Sequence, residues 1–209
     1  MNIKYLSCVA VLMHGLAVAS QNEINGIVTI SDHLNMSAYN NFAKLLKTQK
    51  VTTVIFKNCF SGNGLAAFRY AEKIKERKIA TVASGVVASG CAFAYLGGSV
   101  RLLDKTTPVN TLVFHGGFNP ATLAANGKKE NQVLLDIFEK HIGFTFASVV
   151  KDIILNTKKR DEGIYFLNIN AGKDINQLTF YCDGNGMVNF DKCMRLDGIN
   201  LETEGITTK

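Results

Sequence analysis

Between Ser84 and His115 the chain runs Ser84-Gly-Val-Val-Ala-Ser89-Gly90-Cys91-Ala92-Phe-Ala-Tyr-Leu-Gly-Gly98. A short apolar segment follows, then Leu112-Val-Phe-His115-Gly-Gly117. Small residues surround Ser89 where an apolar helix begins, and His115 ends a strand-like run 26 positions later. A helix start carries free N–H groups and the positive end of the helix dipole, which is where a developing oxyanion is best stabilised. A serine hydroxyl needs a neighbouring base to become a nucleophile, and imidazole is the usual one. The pairing points to a serine hydrolase whose chain must fold so that one strand end meets one helix start.

The flanking sequence has the alternation such a fold needs. Gly26-Ile-Val-Thr-Ile30 reads as a strand, and a helix from about Ser37 to Lys47 places Tyr39, Phe42, Leu45 and Leu46 on one side. Val51 to Lys57 reads as a buried strand. The turn Ser61-Gly62-Asn63-Gly64 opens a helix from Leu65 to about Arg77. Further strands are expected at Ile79–Ala83, Val100–Leu103 and Thr111–Phe114. Helices are expected at Glu130–His141 and Phe144–Leu155, split by Gly143. Two short strands close the chain, near Leu178–Cys182 and Met187–Phe190. Strands alternating with helices predict an α/β fold with parallel pairing. The 209 residues fit one domain.

Residues 1–20 are set apart from the domain, which is taken as 21–209. Lys4 followed by an apolar stretch from Tyr5 to Val18 and the small-x-small site Ala17-Val18-Ala19 read as a secretory signal peptide. The competing reading is an uncleaved N-terminal anchor, although the run is short for a span and His14 and Gly15 interrupt it. An exported, periplasmic or secreted protein follows, with no stable membrane insertion after cleavage. Lysine and arginine exceed acids by a formal +6, scattered at helix ends except for Lys158, Lys159 and Arg160. No basic stripe with interleaved aromatics marks a nucleic-acid partner.

Four cysteines remain beyond the signal segment: Cys59, Cys91, Cys182 and Cys193. Four allow two disulfides in three connectivities. Cys182 and Cys193 bracket a turn-rich segment and read as a local bridge, which leaves Cys59 to Cys91 beside the proposed site. A zinc site is the alternative, but no CxxC spacing or histidine pair supports it. No metal or cofactor is expected.

Three features together resemble the proteolytic subunit of the Clp protease and its exported relatives, within the ClpP/crotonase fold of stacked strand–strand–helix units. They are Asn58-Cys-Phe-Ser-Gly-Asn-Gly64, the Ala88-Ser89-Gly90 turn into a helix, and Val113-Phe-His115. The resemblance covers roughly Ile27 to Asp174. It implies a serine peptidase or related hydrolase with Ser89 as nucleophile and His115 as base, and with the backbone N–H groups of Asn63 and Gly90 as the oxyanion hole. The loop Gly116-Gly-Phe-Asn-Pro-Ala-Thr122 also looks like the segment after the family's histidine. The turn reads Ser-Gly-Asn-Gly where the family has Ser-Pro-Gly-Gly. The family's orienting aspartate maps to Asp161 only with a shift of about three residues, since strict register puts Ile164 there. Homo-oligomerisation through the helices from Glu130 to Leu155 is implied by resemblance.

Rival readings stay open. The first is a catalytically inactive ClpP-like binding or assembly protein that keeps the scaffold. A CoA-thioester enzyme of crotonase type is the second, disfavoured by export and by the Ser/His pair. Lys105, Lys128 or Lys129 is a conceivable alternative base, as in signal peptide peptidase relatives of the fold, but nothing brings them near Ser89. His33 and His141 read as surface or capping groups. The substrate is expected to be a peptide or protein.

Overall fold

A computed structural model describes residues 21–119, 122, 124–171, 174–184 and 188–208. The expected signal segment, residues 1–20, lies outside the described residues, as do Pro120 and Ala121 of the loop after His115. One mixed sheet runs through the described residues. Its strands are β1 (Gln21–Ile24), β2 (Ile27–Leu34), β3 (Thr53–Gly62), β4 (Ala80–Ala88), β5 (Arg101–Leu103), β6 (Val109–Phe114), β7 (Glu162–Ala171), β8 (Asp174–Asp183) and β9 (Met194–Arg195). The strand order is β1-β2-β3-β4-β6-β7-β8-β9, with β5 also paired to β4. The chain is thus a mixed α/β protein of one domain, as the alternation predicted.

The parallel block is β2, β3, β4 and β6. Its crossovers carry helices α1 (Met36–Thr48), α2 (Gly64–Glu76) and α3 (Gly90–Tyr95). Asn35 caps α1 by accepting the Ala38 N–H at 2.8 Å, which meets one of the donors a helix start leaves open. Ala38, Phe42 and Leu46 recur every four residues and bury that helix on the sheet. Tyr70 of α2 stacks on Phe42 with centroids 5.0 Å apart, joining two helices in one aromatic layer.

Two differences from the predicted elements have physical reasons. The C-terminal third pairs antiparallel: β6 with β7, β7 with β8 and β8 with β9. Strand β7 is buried on both faces, so its sequence lacks the polar alternation that announces a strand. Of the strand expected at Met187–Phe190, Met187 lies outside the described residues, and Val188, Asn189 and Phe190 are not in a strand. Phe190–Lys192 is a single 3₁₀ turn, with Asn189 accepting the Asp191 N–H, and pairing resumes at Met194. Beyond β6 the chain forms α4 (Lys128–Ile137), a π-helical turn at Phe138–Ile142 and α5 (Ser148–Asn156). Gly143 breaks this run at φ 71°, as expected from its position.

Strand β4 changes partner partway along. Its first half pairs with β5 and its second half with β6, on either side of Gly85, whose φ is 71°. A Cβ there would lie 2.1 Å from Asn58 Oδ1. That same oxygen accepts the Val86 N–H at 3.2 Å, so the bend in β4 is pinned to the bulge in β3. No helix of the described residues is long and apolar enough to cross a membrane.

Candidate active site

The carboxyl ends of three parallel strands converge on one cavity of about 780 Å³, the usual position for a site on an open parallel sheet. Ser89 follows β4 and caps α3, and His115 follows β6. The register pairs Ala88 with Val113, and the Ser89 N–H donates to the Val113 carbonyl at 3.0 Å. Ser89 adopts φ 57°, ψ −131° and makes no side-chain cap bond. Such backbone is costly for a non-glycine residue and persists only where the surroundings enforce it. The residue so held stands at the turn from β4 into α3. Ser89, His115, Asn63, Gly90 and Asp161 all line the cavity.

Glycine at positions 62 and 90 lets two backbones meet beside Ser89. A Cβ on Gly90 would lie 2.9 Å from the Gly62 Cα, and one on Gly62 would lie 2.8 Å from Leu34 Cβ. The Cys59–Cys91 disulfide, with a Cα separation of 5.8 Å, ties the β3 end to α3 at the same place. Cys182 and Cys193 form the second bridge. All four sulfurs are therefore in S–S bonds, which points to folding in an oxidising environment.

The two expected oxyanion donors differ in their surroundings. The Asn63 N–H donates to the Leu34 carbonyl at 3.0 Å, while the Asn63 side chain caps α2 by accepting the Leu65 and Ala66 N–H groups. Among the described residues, the N–H groups of Gly64 and Gly90 have no protein acceptor, as expected for the first residues of helices.

His115 is half-buried. Its Nδ1 lies 2.6 Å from the Gly116 carbonyl oxygen. A carbonyl only accepts, so Nδ1 carries the proton and Nε2 is left as the acceptor of the neutral ring. Burial holds the imidazole below its ordinary pKa. The Gly116 bond and the Asp161 charge oppose this shift, and Arg160 adds to it. No hydrogen bond links the imidazole to the Ser89 hydroxyl or to the Asp161 carboxylate among the described residues. Asp161 stands exposed at the cavity and acts on the ring through space. Ile164, the alternative position by strict register, pairs with Phe114 and is wholly buried in the core.

The residues that hold the His115 loop were not legible in the sequence. Gly116 donates to Thr157 Oγ1 at 3.0 Å, and Gly117 donates to Asn131 Oδ1 at 2.8 Å. Asn131, fully buried on α4, also donates to the Ile154 carbonyl at 3.2 Å. An asparagine inside a helix is locally unfavourable, and that was the one available hint. Tyr165 donates to the Asp161 carbonyl at 2.9 Å. Buried Glu162 accepts the Lys158 and Lys159 N–H groups and the Tyr181 hydroxyl, which shapes the loop presenting Asp161.

His33 departs from its surface reading: it is half-buried, and its Nδ1 lies 2.5 Å from Ser61 Oγ in the neighbouring strand. His141 keeps a partly exposed side chain, with its ring edge-on to Phe68 at 5.4 Å. Lys105, Lys128 and Lys129 do not line the cavity.

No family model and no curated protein matches the chain. Parts of it are similar to solved structures. One is a serine-to-alanine variant of the 1510-N membrane-bound stomatin-specific protease, at 11% identity over 61% of this chain and 67% of that one, with a TM-score of 0.44. Another is an asparagine-to-aspartate variant of ClpP1 from Listeria monocytogenes, at 16% identity over 64% of this chain and 79% of that one, with a TM-score of 0.44. A third is a protein described as an enoyl-CoA hydratase from Streptomyces coelicolor A3(2), at 15% identity over 53% of this chain, with a TM-score of 0.36; the match spans about half of that chain, 52%. These are partial likenesses of fold at low identity, and no chemistry is carried over from them.

Proposed function

We propose that this chain is an exported serine-type peptidase or related acyl hydrolase of ClpP-like architecture. The observation that carries the reading is the strained Ser89, its side chain making no cap bond at a strand-to-helix turn, in one cavity with an imidazole whose Nδ1–H is already committed. In the proposed reaction Ser89 Oγ adds to a substrate carbonyl as His115 Nε2 takes the hydroxyl proton. The imidazolium then returns that proton to the leaving amine or alkoxide as the tetrahedral intermediate collapses to an acyl-serine. Water, deprotonated by the same Nε2, releases the acid and restores Ser89.

Gly90 supplies one N–H to the oxyanion. The second comes from Asn63, once the Leu34 carbonyl is exchanged for the substrate oxygen, or from Gly64 beside it. Each such donor is worth roughly 3–4 kcal/mol in acyl transfer. Asp161 favours the imidazolium through space, and the Gly116 carbonyl orients the ring. The chemistry needs no metal or cofactor. Self-association through α4 and α5 belongs to the same proposal, supported by the exposed Val133, Ile137 and Val149; light scattering showing a monomer at working concentration removes it.

The test is labelling of the full chain by a fluorophosphonate probe. We expect one adduct, mapped to Ser89, that is absent from Ser89→Ala and strongly reduced in His115→Ala. An unlabelled parent protein, across the range where imidazole titrates, overturns the reading. A second reading is a non-catalytic binding or assembly protein on the same scaffold. The engaged Asn63 N–H and the absence of a Ser89–His115 hydrogen bond favour it, and the same experiment separates the two.

A further inference from the structure

Side chains on a strand alternate between the two faces of a sheet, and in the strands beside Ser89 that alternation separates two apolar bodies. On the helix side lie Val87, Leu112, Phe114 and Phe166. On the opposite face lie Val113, Tyr165, Leu167 and Cys182, with Phe180, Val188 and Phe190 packed against them. Val188, Phe190 and Cys193 pack over this outer cluster, and the Cys182–Cys193 disulfide ties them back to the sheet. Among the described residues this cover leaves part of the outer face open. Val86 of β4 and Val109 of β6 remain half-buried on the outer face and, with Thr111 and Val113, line the cavity that contains Ser89.

We propose that this uncovered strip, walled by Val188 and Phe190, is the subsite for an apolar group flanking the carbonyl that Ser89 attacks. The inference rests on the hydrolase reading and deepens it by naming the substrate class. The strip offers aliphatic and aromatic surface with one hydroxyl. The charged residues that line the cavity, Arg160 and Asp161, belong to the loop before β7. A charged group bound along the strip would lose hydration with no partner, whereas an apolar one gains by leaving water. Neighbouring rings hold Phe190 in position as a wall. Its ring meets Tyr165 at 5.7 Å and Phe180 at 5.2 Å, yet it stays half-buried and borders the cavity. Aromatic and aliphatic walls with few polar groups characterise sites for apolar ligands. The apolar group is either a bulky peptide side chain or an acyl chain, since both present the same surface.

The experiment compares p-nitrophenyl decanoate with p-nitrophenyl acetate on the full chain, and peptidyl coumarylamides carrying leucine or aspartate before the cleaved bond. The decanoate-to-acetate ratio of kcat/KM is expected to fall about tenfold in Phe190→Ala, the scale of truncating a partly buried phenyl ring. Val109→Phe, which fills the strip rather than opening it, should lower the same ratio by blocking the long chain. Preference confined to the coumarylamides assigns the strip to peptide side chains, and preference confined to the esters assigns it to acyl chains. Ratios unchanged in both variants overturn the inference while leaving the hydrolase intact.

If the parent protein cleaves none of these substrates, the hydrolase reading fails, and the subsite is then judged by binding alone. The probe is dansyl-decanamide, read by fluorescence in a protein without tryptophan. Binding weakened about tenfold in Phe190→Ala supports the strip as an apolar site. Equal binding, or none to the parent, overturns it. Circular dichroism and mass mapping of the Cys182–Cys193 bridge establish that each variant is folded.

Discussion

Asn131 on α4 and Gly117 in the loop after His115 are 14 residues apart in sequence and joined by a hydrogen bond of 2.8 Å. The asparagine turns its other end to the Ile154 carbonyl at 3.2 Å, so a single buried amide bridges the loop after His115 to α5. Asn131→Ala leaves both peptide groups without their partner. We expect a loss of about 2–4 kcal/mol in stability by urea denaturation. If His115 is the base, as proposed, the kcat for an activated ester should fall more than KM rises, because Asn131 positions the loop that follows His115 without meeting substrate. A variant with altered stability and unchanged kcat denies it that positioning role.

Asp161 should matter less than an orienting carboxylate does in a full triad. The proton on His115 Nδ1 already goes to the Gly116 carbonyl, so the tautomer does not depend on Asp161. Asp161→Asn is expected to lower kcat by less than about tenfold, against roughly 10⁴-fold where the acid sets the tautomer. A loss of the larger size would mean that the carboxylate moves onto Nδ1 during turnover.

The pH profile follows from His115. Burial lowers its folded pKa below the ordinary value of about 6.5. His115 therefore stays neutral to a pH somewhat below that value, and on the proposed mechanism kcat/KM stays high down to there before an acid limb appears. Stability takes the same sign. The contribution of the neutral ring is whole above about pH 6.5 and is lost as pH falls through the folded pKa, because the unfolded chain binds the proton first. His115→Gln should flatten this dependence in thermal melts recorded on either side of pH 6.5.

Asp104 governs a second, more acidic window. Partial burial raises its pKa, but hydrogen bonds from Thr106, Ser84 and Thr107 outweigh that and bring it down to about 2. Its stabilisation is present above the ordinary carboxylate value near 3.9 and disappears as pH falls through the folded value. Acid titration followed by circular dichroism should show Asp104→Asn less stable than the parent at neutral pH, with the difference shrinking in acid.

The Cys59–Cys91 bridge closes a loop of 32 residues and braces the β3 turn against α3. The double substitution Cys59→Ala with Cys91→Ala is expected to cost about 2–4 kcal/mol of stability. Fluorophosphonate labelling should also slow, since the close approach of Gly62 to Gly90 loses its tie. Mass mapping of non-reduced peptides should recover Cys59 with Cys91 and Cys182 with Cys193; any other pairing refutes this connectivity.

What could be read along the chain was local. Apolar periodicity and glycine-rich turns located α1, α2, the β4-to-α3 turn and β6. The spacing of Ser89 and His115 marked the two strand ends that converge. The disulfide partners were legible because four cysteines leave few pairings and one pair brackets a turn. The tertiary structure decided everything that depends on which strands become neighbours. The antiparallel return of β7 past β6 buries Ile164 and leaves Asp161 in a loop, an outcome set by a pairing register that local periodicity does not contain. The Leu34 carbonyl on the Asn63 N–H, the clamp of Asn131 and Thr157 on the His115 loop, and the Phe190 wall all join segments distant in sequence. Hydrogen-bond satisfaction and side-chain packing choose such partners only once the sheet has closed.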